Sequence, residues 1–147
     1  MKKIVRRSFL IDGTPLYLER FKSEKIKVLE MDDNVFIEYM KGHYYNLRFI
    51  DNCILIDKID LGGFPHTLKG NPKKIIDKIR YYVEINSDSY AMIDYCNDND
   101  IESTISVDFN SKEDAQDFEV PNWFGKEILL PTKTKSKKLE KSINIYN

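Results

Sequence analysis

The chain has 147 residues, with 23 Lys and Arg against 24 Asp and Glu and a formal charge of −1. That length suits one domain, and 41% hydrophobic residues with 12% aromatics exclude a disordered chain. No apolar run approaches the ~18–20 residues of a membrane span, the N-terminal MKKIVRRSFLIDG is not expected to be a signal peptide, and balanced charge argues against a broad nucleic-acid-coating surface.

Short runs of period-two alternation between turn residues dominate the chain. Residues 3–11 predict a first strand, followed by a turn at IDGTP and a short helix or irregular bridge over 15–23. Residues 25–31, 34–40, 43–50 and 53–60 predict a four-strand meander. Its turns, Asp32-Asp33-Asn34, Lys41-Gly42 and Asp51-Asn52, use residues that tolerate positive φ or cap their own backbone. The stretch 61–74, with three Gly and two Pro, is the main loop, with room for one helical turn.

Alternation resumes at 77–86, 89–96 and 102–110. Ser111 is placed to cap a short helix whose first turn carries Glu113 and Asp114, acids suited to the positive end of the helix dipole. Pro121 ends that helix by about Phe118. An irregular segment with room for a short strand follows, and 131–147 is expected to be a terminal helix or frayed tail. Eight strands with short helices predict a mainly β chain, a β-rich α+β fold built on an eight-stranded antiparallel barrel. A single domain over 1–147, with its core at about 3–130, is expected.

Composition adds one point. Eighteen Lys to five Arg, with 18 Ile and 11 Asn, is what AT-rich codons produce, as in low-GC bacteria and some phages. Where Lys is the default cation, Arg6, Arg7, Arg20, Arg48 and Arg80 become candidates for places that need the planar guanidinium. Cys53 and Cys96 are too few for a disulfide scaffold and lack metal-site spacing, so a reduced, cytoplasmic setting is expected. His43 and His66 have no neighbouring Cys/His set, and LGG at 61–63 lacks the Lys-Ser/Thr of a phosphate loop. Phe36, Tyr39, Tyr44, Tyr45 and Phe49 lie on adjacent hairpins, where cross-strand packing explains them.

Lys78 and Arg80 share one face of their strand, and alternation leaves open whether that face is solvated or internal. A resemblance bears on the choice. The run over 76–127 carries Lys78-Ile79-Arg80-Tyr81, Asp94-Tyr95, Ser106-Val107-Asp108 and Pro121-Asn122-Trp123-Phe124-Gly125-Lys126-Glu127. It resembles the second half of the CYTH domain, the triphosphate tunnel metalloenzyme family. VRRSFLIDGTP is a fainter match to that family's first strand. The resemblance implies an eight-stranded tunnel that holds triphosphate-bearing substrates with basic residues and a divalent metal with carboxylates. Activities in the family include inorganic, thiamine and RNA triphosphatase and an adenylate cyclase.

The match breaks where that chemistry lives. At the family's E-x-E-x-K positions stand Ile4, Arg6 and Ser8, and its third-strand arginines fall at Glu38 and Met40. The fourth-strand lysine is replaced by Arg48, the fifth-strand acids fall near Leu55 and Asp57, and of the eighth-strand pair only Asp108 is acidic. The resemblance therefore implies a catalytically weak or inactive tunnel with a basic interior. A phosphate-containing small molecule is expected at Arg6, Arg7, Arg48, Lys78, Arg80, Asp94 and Glu127. Asp108 is the remaining metal candidate, and no cofactor is expected unless residual activity uses Mg or Mn. Glu127 has a structural alternative, tying the Trp123 segment to a basic wall residue. A second function class stays open, a protein-interaction module such as a small phage or mobile-element regulator that binds a host protein through the barrel exterior.

Overall fold

A computed structural model describes residues 2–11, 17–59, 71–96 and 101–129. The predicted terminal helix over 131–147 and most of the 61–74 loop lie outside those residues. Nine strands, a 3-10 turn at Leu18–Arg20 and one short helix make up the rest. In chain order they are β1 (Lys2–Ile11), β2 (Lys22–Asp32), β3 (Val35–Met40), β4 (His43–Ile50), β5 (Cys53–Ile59), β6 (Lys74–Asn86), β7 (Ser89–Cys96), β8 (Thr104–Phe109), α1 (Lys112–Asp117) and β9 (Phe124–Ile128).

The sheet runs β5-β4-β3-β2-β6-β7-β8-β1, and β1 pairs again with β5 through Lys2–Val5, so eight antiparallel strands close into a barrel. Strand β9 lies outside that ring, paired to the far end of β1. Lys41 (φ 50) and Gly42 (φ 80) both take the left-handed region that a two-residue hairpin turn requires. Asp51 takes it at the β4–β5 turn. Ser111 accepts a hydrogen bond from the Asp114 backbone N–H at 3.1 Å, as an N-cap does.

Two apolar clusters hold the barrel. Inside one half, Ile4, Ile26, Val28, Phe36, Leu47 and Ile54 pack together. On the outer face of β6, β7, β8 and β1, Phe9, Ala91, Ile93, Ile105, Val107 and Phe124 form the second. Tyr81, Phe118 and Trp123, each partly buried, pack against that outer cluster. The inner half not filled by the apolar cluster is lined by polar and charged side chains, and there the candidate site lies.

Candidate functional site

Strand alternation turns Ile4, Arg6 and Ser8 of β1 into the barrel, and likewise Glu38, Lys78, Arg80, Asp94, Thr104, Ser106 and Asp108. Arg80 is 3% exposed. Its cross-strand partner is Asp94, and they make a two-point bond, Nε to Oδ1 at 2.8 Å and Nη2 to Oδ2 at 3.0 Å. From β3, Glu38 reaches over β2 to accept from Nη2 at 3.2 Å and Nη1 at 3.4 Å. Lys78 Nζ stands 3.5 Å from Asp94 Oδ2. On the other wall, Arg6 donates from Nε and Nη2 to Asp108 at 2.6 and 3.1 Å, again across a direct strand pair. Ser8 and Ser106, also directly opposite, share a hydroxyl–hydroxyl bond of 2.7 Å.

The electrostatics follow from these contacts. Burial pushes the Asp94 carboxyl up, but Arg80 and Lys78 outweigh it and hold the group well below the usual carboxylate range. Burial would lower the Arg80 and Arg6 guanidinium pKa values, but their carboxylates raise both. Three interior cations, Arg6, Lys78 and Arg80, thus meet three carboxylates, Glu38, Asp94 and Asp108. The expected one-sign basic wall is absent from this half of the barrel. Glu38 occupies a position where the resemblance places an arginine, and it reverses the charge there.

Arg80 also divides the interior. Along β6, Ile76 and Lys78 border an inner chamber of about 70 Å³, Tyr82 and Glu84 border an open groove of about 570 Å³, and Arg80 borders neither. Its bonds to Glu38 and Asp94 cross the barrel between the two. In the outer groove, Glu24 pairs with Lys41 at 2.7 Å and accepts from the Tyr82 hydroxyl. Those two donors lower the Glu24 pKa, while burial and Glu24 raise that of Tyr82. The inner chamber has room for roughly five to seven water-sized atoms. It is lined by Arg6, Lys78, Ser8, Thr104 and Ser106 on its donor side and by Glu38 and Glu102 among its acceptors.

Three candidates leave the site. Arg7 and Glu127 lie outside the barrel, joined by two hydrogen bonds of 2.9 and 2.7 Å, because odd residues of β1 face the outer cluster. Arg7 also donates to the Ala115 carbonyl of α1 at 2.8 Å. Glu127 thus has the structural role, tying β9 to β1. Arg48 is exposed on the outer face of β4. Tyr45, Leu47 and Phe49 face inward there, so the fourth-strand assignment is off by one residue. The same slip applies on β5, where Ile54 and Ile56 face inward in place of Leu55 and Asp57.

A metal of the kind the resemblance implies needs convergent unengaged carboxylates. Among the described residues no group of three His, Cys, Asp or Glu could hold one. Asp108 and Asp94 are each engaged by an arginine at both oxygens. The residues present do not fit that metal.

Sequence reasoning named Glu38 only as a lost arginine and missed Ser8, Thr104 and Glu102 as chamber residues. The spacing of Glu102, Thr104 and Ser106 at i, i+2 and i+4 was the available signal.

No family model and no curated protein matches the chain. Among solved structures it is similar to the inorganic triphosphatase NE1496, at 18% identity and a TM-score of 0.52, over 86% of this chain and 90% of that one. A second crystal structure of NE1496, described as a hypothetical protein, matches at 18% identity and a TM-score of 0.53, over 87% and 90%. At that identity the likeness speaks for the fold alone: the chain shares the closed antiparallel barrel of that protein.

Proposed function

We propose that this chain is a non-hydrolytic tunnel-fold protein whose inner chamber holds the phosphoryl group of a small phosphate-bearing ligand. The observation that carries this reading is the set of donors left over at the chamber. A guanidinium has five N–H groups. Arg80 has four hydrogen bonds to Glu38 and Asp94, whereas Arg6 has two, both to Asp108. Arg6 therefore keeps donors for a ligand, and Arg80 is nearly saturated. Lys78 keeps donors beyond its contact with Asp94, and one hydroxyl hydrogen of the Ser8–Ser106 pair stays available. The chamber volume suits one phosphoryl group with at most a tail of about two atoms, so a longer polyphosphate enters only by its end. Hydrolysis is not expected, because the acids that would gather a metal are committed to Arg6 and Arg80.

Isothermal titration with inorganic phosphate, triphosphate and ATP tests the binding. Saturable heat that is lost in Lys78→Ala supports it. Absence of heat with all three, from a folded sample, overturns it. In that event the interaction-module reading takes precedence. It draws on the tilted Tyr39–Tyr44 pair on the outer face of β3 and β4, with ring centroids 4.5 Å apart, beside exposed Lys27.

A further inference from the structure

The inner chamber is two-signed. Its donor side is Lys78 with the remaining N–H groups of Arg6. Facing these are two carboxylates that the arginines leave with spare capacity. Glu38 is bonded only along one edge, at 3.2 and 3.4 Å, so each oxygen keeps a lone pair. Among the described residues no cation or donor meets the side chain of Glu102, which lines the same space. Thr104 is 6% exposed, lines the chamber, and has no side-chain partner among the described residues. A buried hydroxyl without a partner costs stability unless something in the cavity completes its hydrogen bonds. An apolar floor of Phe36, Leu47 and Ile76 lies beneath these groups.

A plain anion satisfies only half of this lining. It meets Lys78 and Arg6 but sets its charge against Glu38 and Glu102. A ligand with an ammonium one or two carbons from its phosphoryl group satisfies both halves, and its short alkyl link matches the floor. We infer that the chamber is selective for a small zwitterion, an aminoalkyl phosphonate or phosphate ester, with the phosphoryl group at Lys78 and Arg6 and the primary ammonium at Glu102 and Glu38. This rests on the phosphoryl-binding reading above and adds to it the second, cationic half of the ligand.

The test compares 2-aminoethylphosphonate with ethylphosphonate, which lacks the amine, by isothermal titration. The amine is expected to bind at least tenfold more tightly. Glu102→Gln is expected to remove that advantage while leaving ethylphosphonate bound at least as tightly as before, since it removes a charge set against the phosphonate. Glu38→Gln serves as the second variant, with thermal unfolding recorded for both to separate lost binding from lost fold. Equal affinity for the two phosphonates overturns the zwitterion inference and leaves phosphoryl binding standing. An advantage that persists in both folded variants also overturns it. No binding of either phosphonate or of inorganic phosphate overturns both readings and makes the chamber a water-filled part of the barrel.

Discussion

Arg80 and Asp94 face each other across β6 and β7 inside the barrel and lock edge to edge, with two hydrogen bonds of 2.8 and 3.0 Å. Glu38 takes the opposite side of the same guanidinium. This cross-link lies beyond the inner apolar cluster, among the polar and charged side chains of the barrel interior. The three-residue cross-link therefore supports the wall and separates the inner chamber from the outer groove.

Removing only the cation leaves two buried carboxylates without it. Arg80→Met is expected to destabilise the fold by about 3–5 kcal/mol, the usual cost of breaking a buried pair. Replacing Glu38, Arg80 and Asp94 together with apolar residues of similar volume is expected to recover most of that loss. Urea unfolding of the single and triple variants checks both. A single variant as stable as the parent would contradict the cross-link's structural role.

Asp94 makes the barrel acid-sensitive in a defined direction. Its native pKa is depressed, so it contributes stability that is complete above the ordinary aspartate value of about 3.9. That contribution is lost as pH falls below about 4 towards the native value, because the unfolded chain then binds the proton first. Asp94→Asn is expected to lower stability at neutral pH and to flatten the dependence below about pH 4. Thermal unfolding between pH 7 and pH 2.5 reads both effects.

The outer pair behaves differently. Glu127 is 42% exposed at its side chain, so solvent screens its bond to Arg7. Glu127→Gln is expected to cost about 0.5–1 kcal/mol. Arg7→Ala costs more, since the Ala115 carbonyl and the contact over the Phe9 ring at 5.5 Å are lost with it. Neither these variants nor Arg48→Ala should change phosphate affinity by more than twofold in a titration, because all three residues lie outside the barrel. A tenfold loss in any of them would return that residue to the ligand site.

The short helix offers a local check. Ser111→Ala removes the acceptor for the Asp114 N–H and is expected to cost about 1 kcal/mol in chemical unfolding. Ser111→Asp should restore it.

Most of the barrel was legible in the sequence because its turns carry their own chemistry. Lys41-Gly42 and Asp51-Asn52 mark hairpins at the positions where positive φ occurs. The run 112–117 carries its cap and its acidic first turn. Alternation alone leaves the face of Lys78 and Arg80 open, and the structure turns them inward with Arg6, Asp94 and Asp108 while Arg7, next to Arg6 on β1, faces out. On β5 Ile54 and Leu55 put apolar residues on both faces, so the assignment there is off by one residue, whereas on β4 Asn46 and Arg48 do alternate with Leu47 and Phe49, and it was the resemblance, not the patterning, that placed Arg48 inside. The pairing of interior charges was not legible. Arg80 meets Glu38 only because β2 and β6 lie side by side despite the 41 residues (33–73) between them, bringing β3 within reach. Period-two patterning says which residue types face inward, and barrel closure decides which of them meet.

The most direct test of phosphoryl binding without hydrolysis is the phosphorus NMR spectrum of inorganic triphosphate with the purified chain and Mg²⁺. Selective broadening of the terminal phosphoryl resonance, reversed by excess phosphate, with no orthophosphate signal above the protein-free control over many hours, is the predicted result. Orthophosphate accumulating in proportion to protein, or a spectrum that the folded chain leaves unchanged, would contradict it.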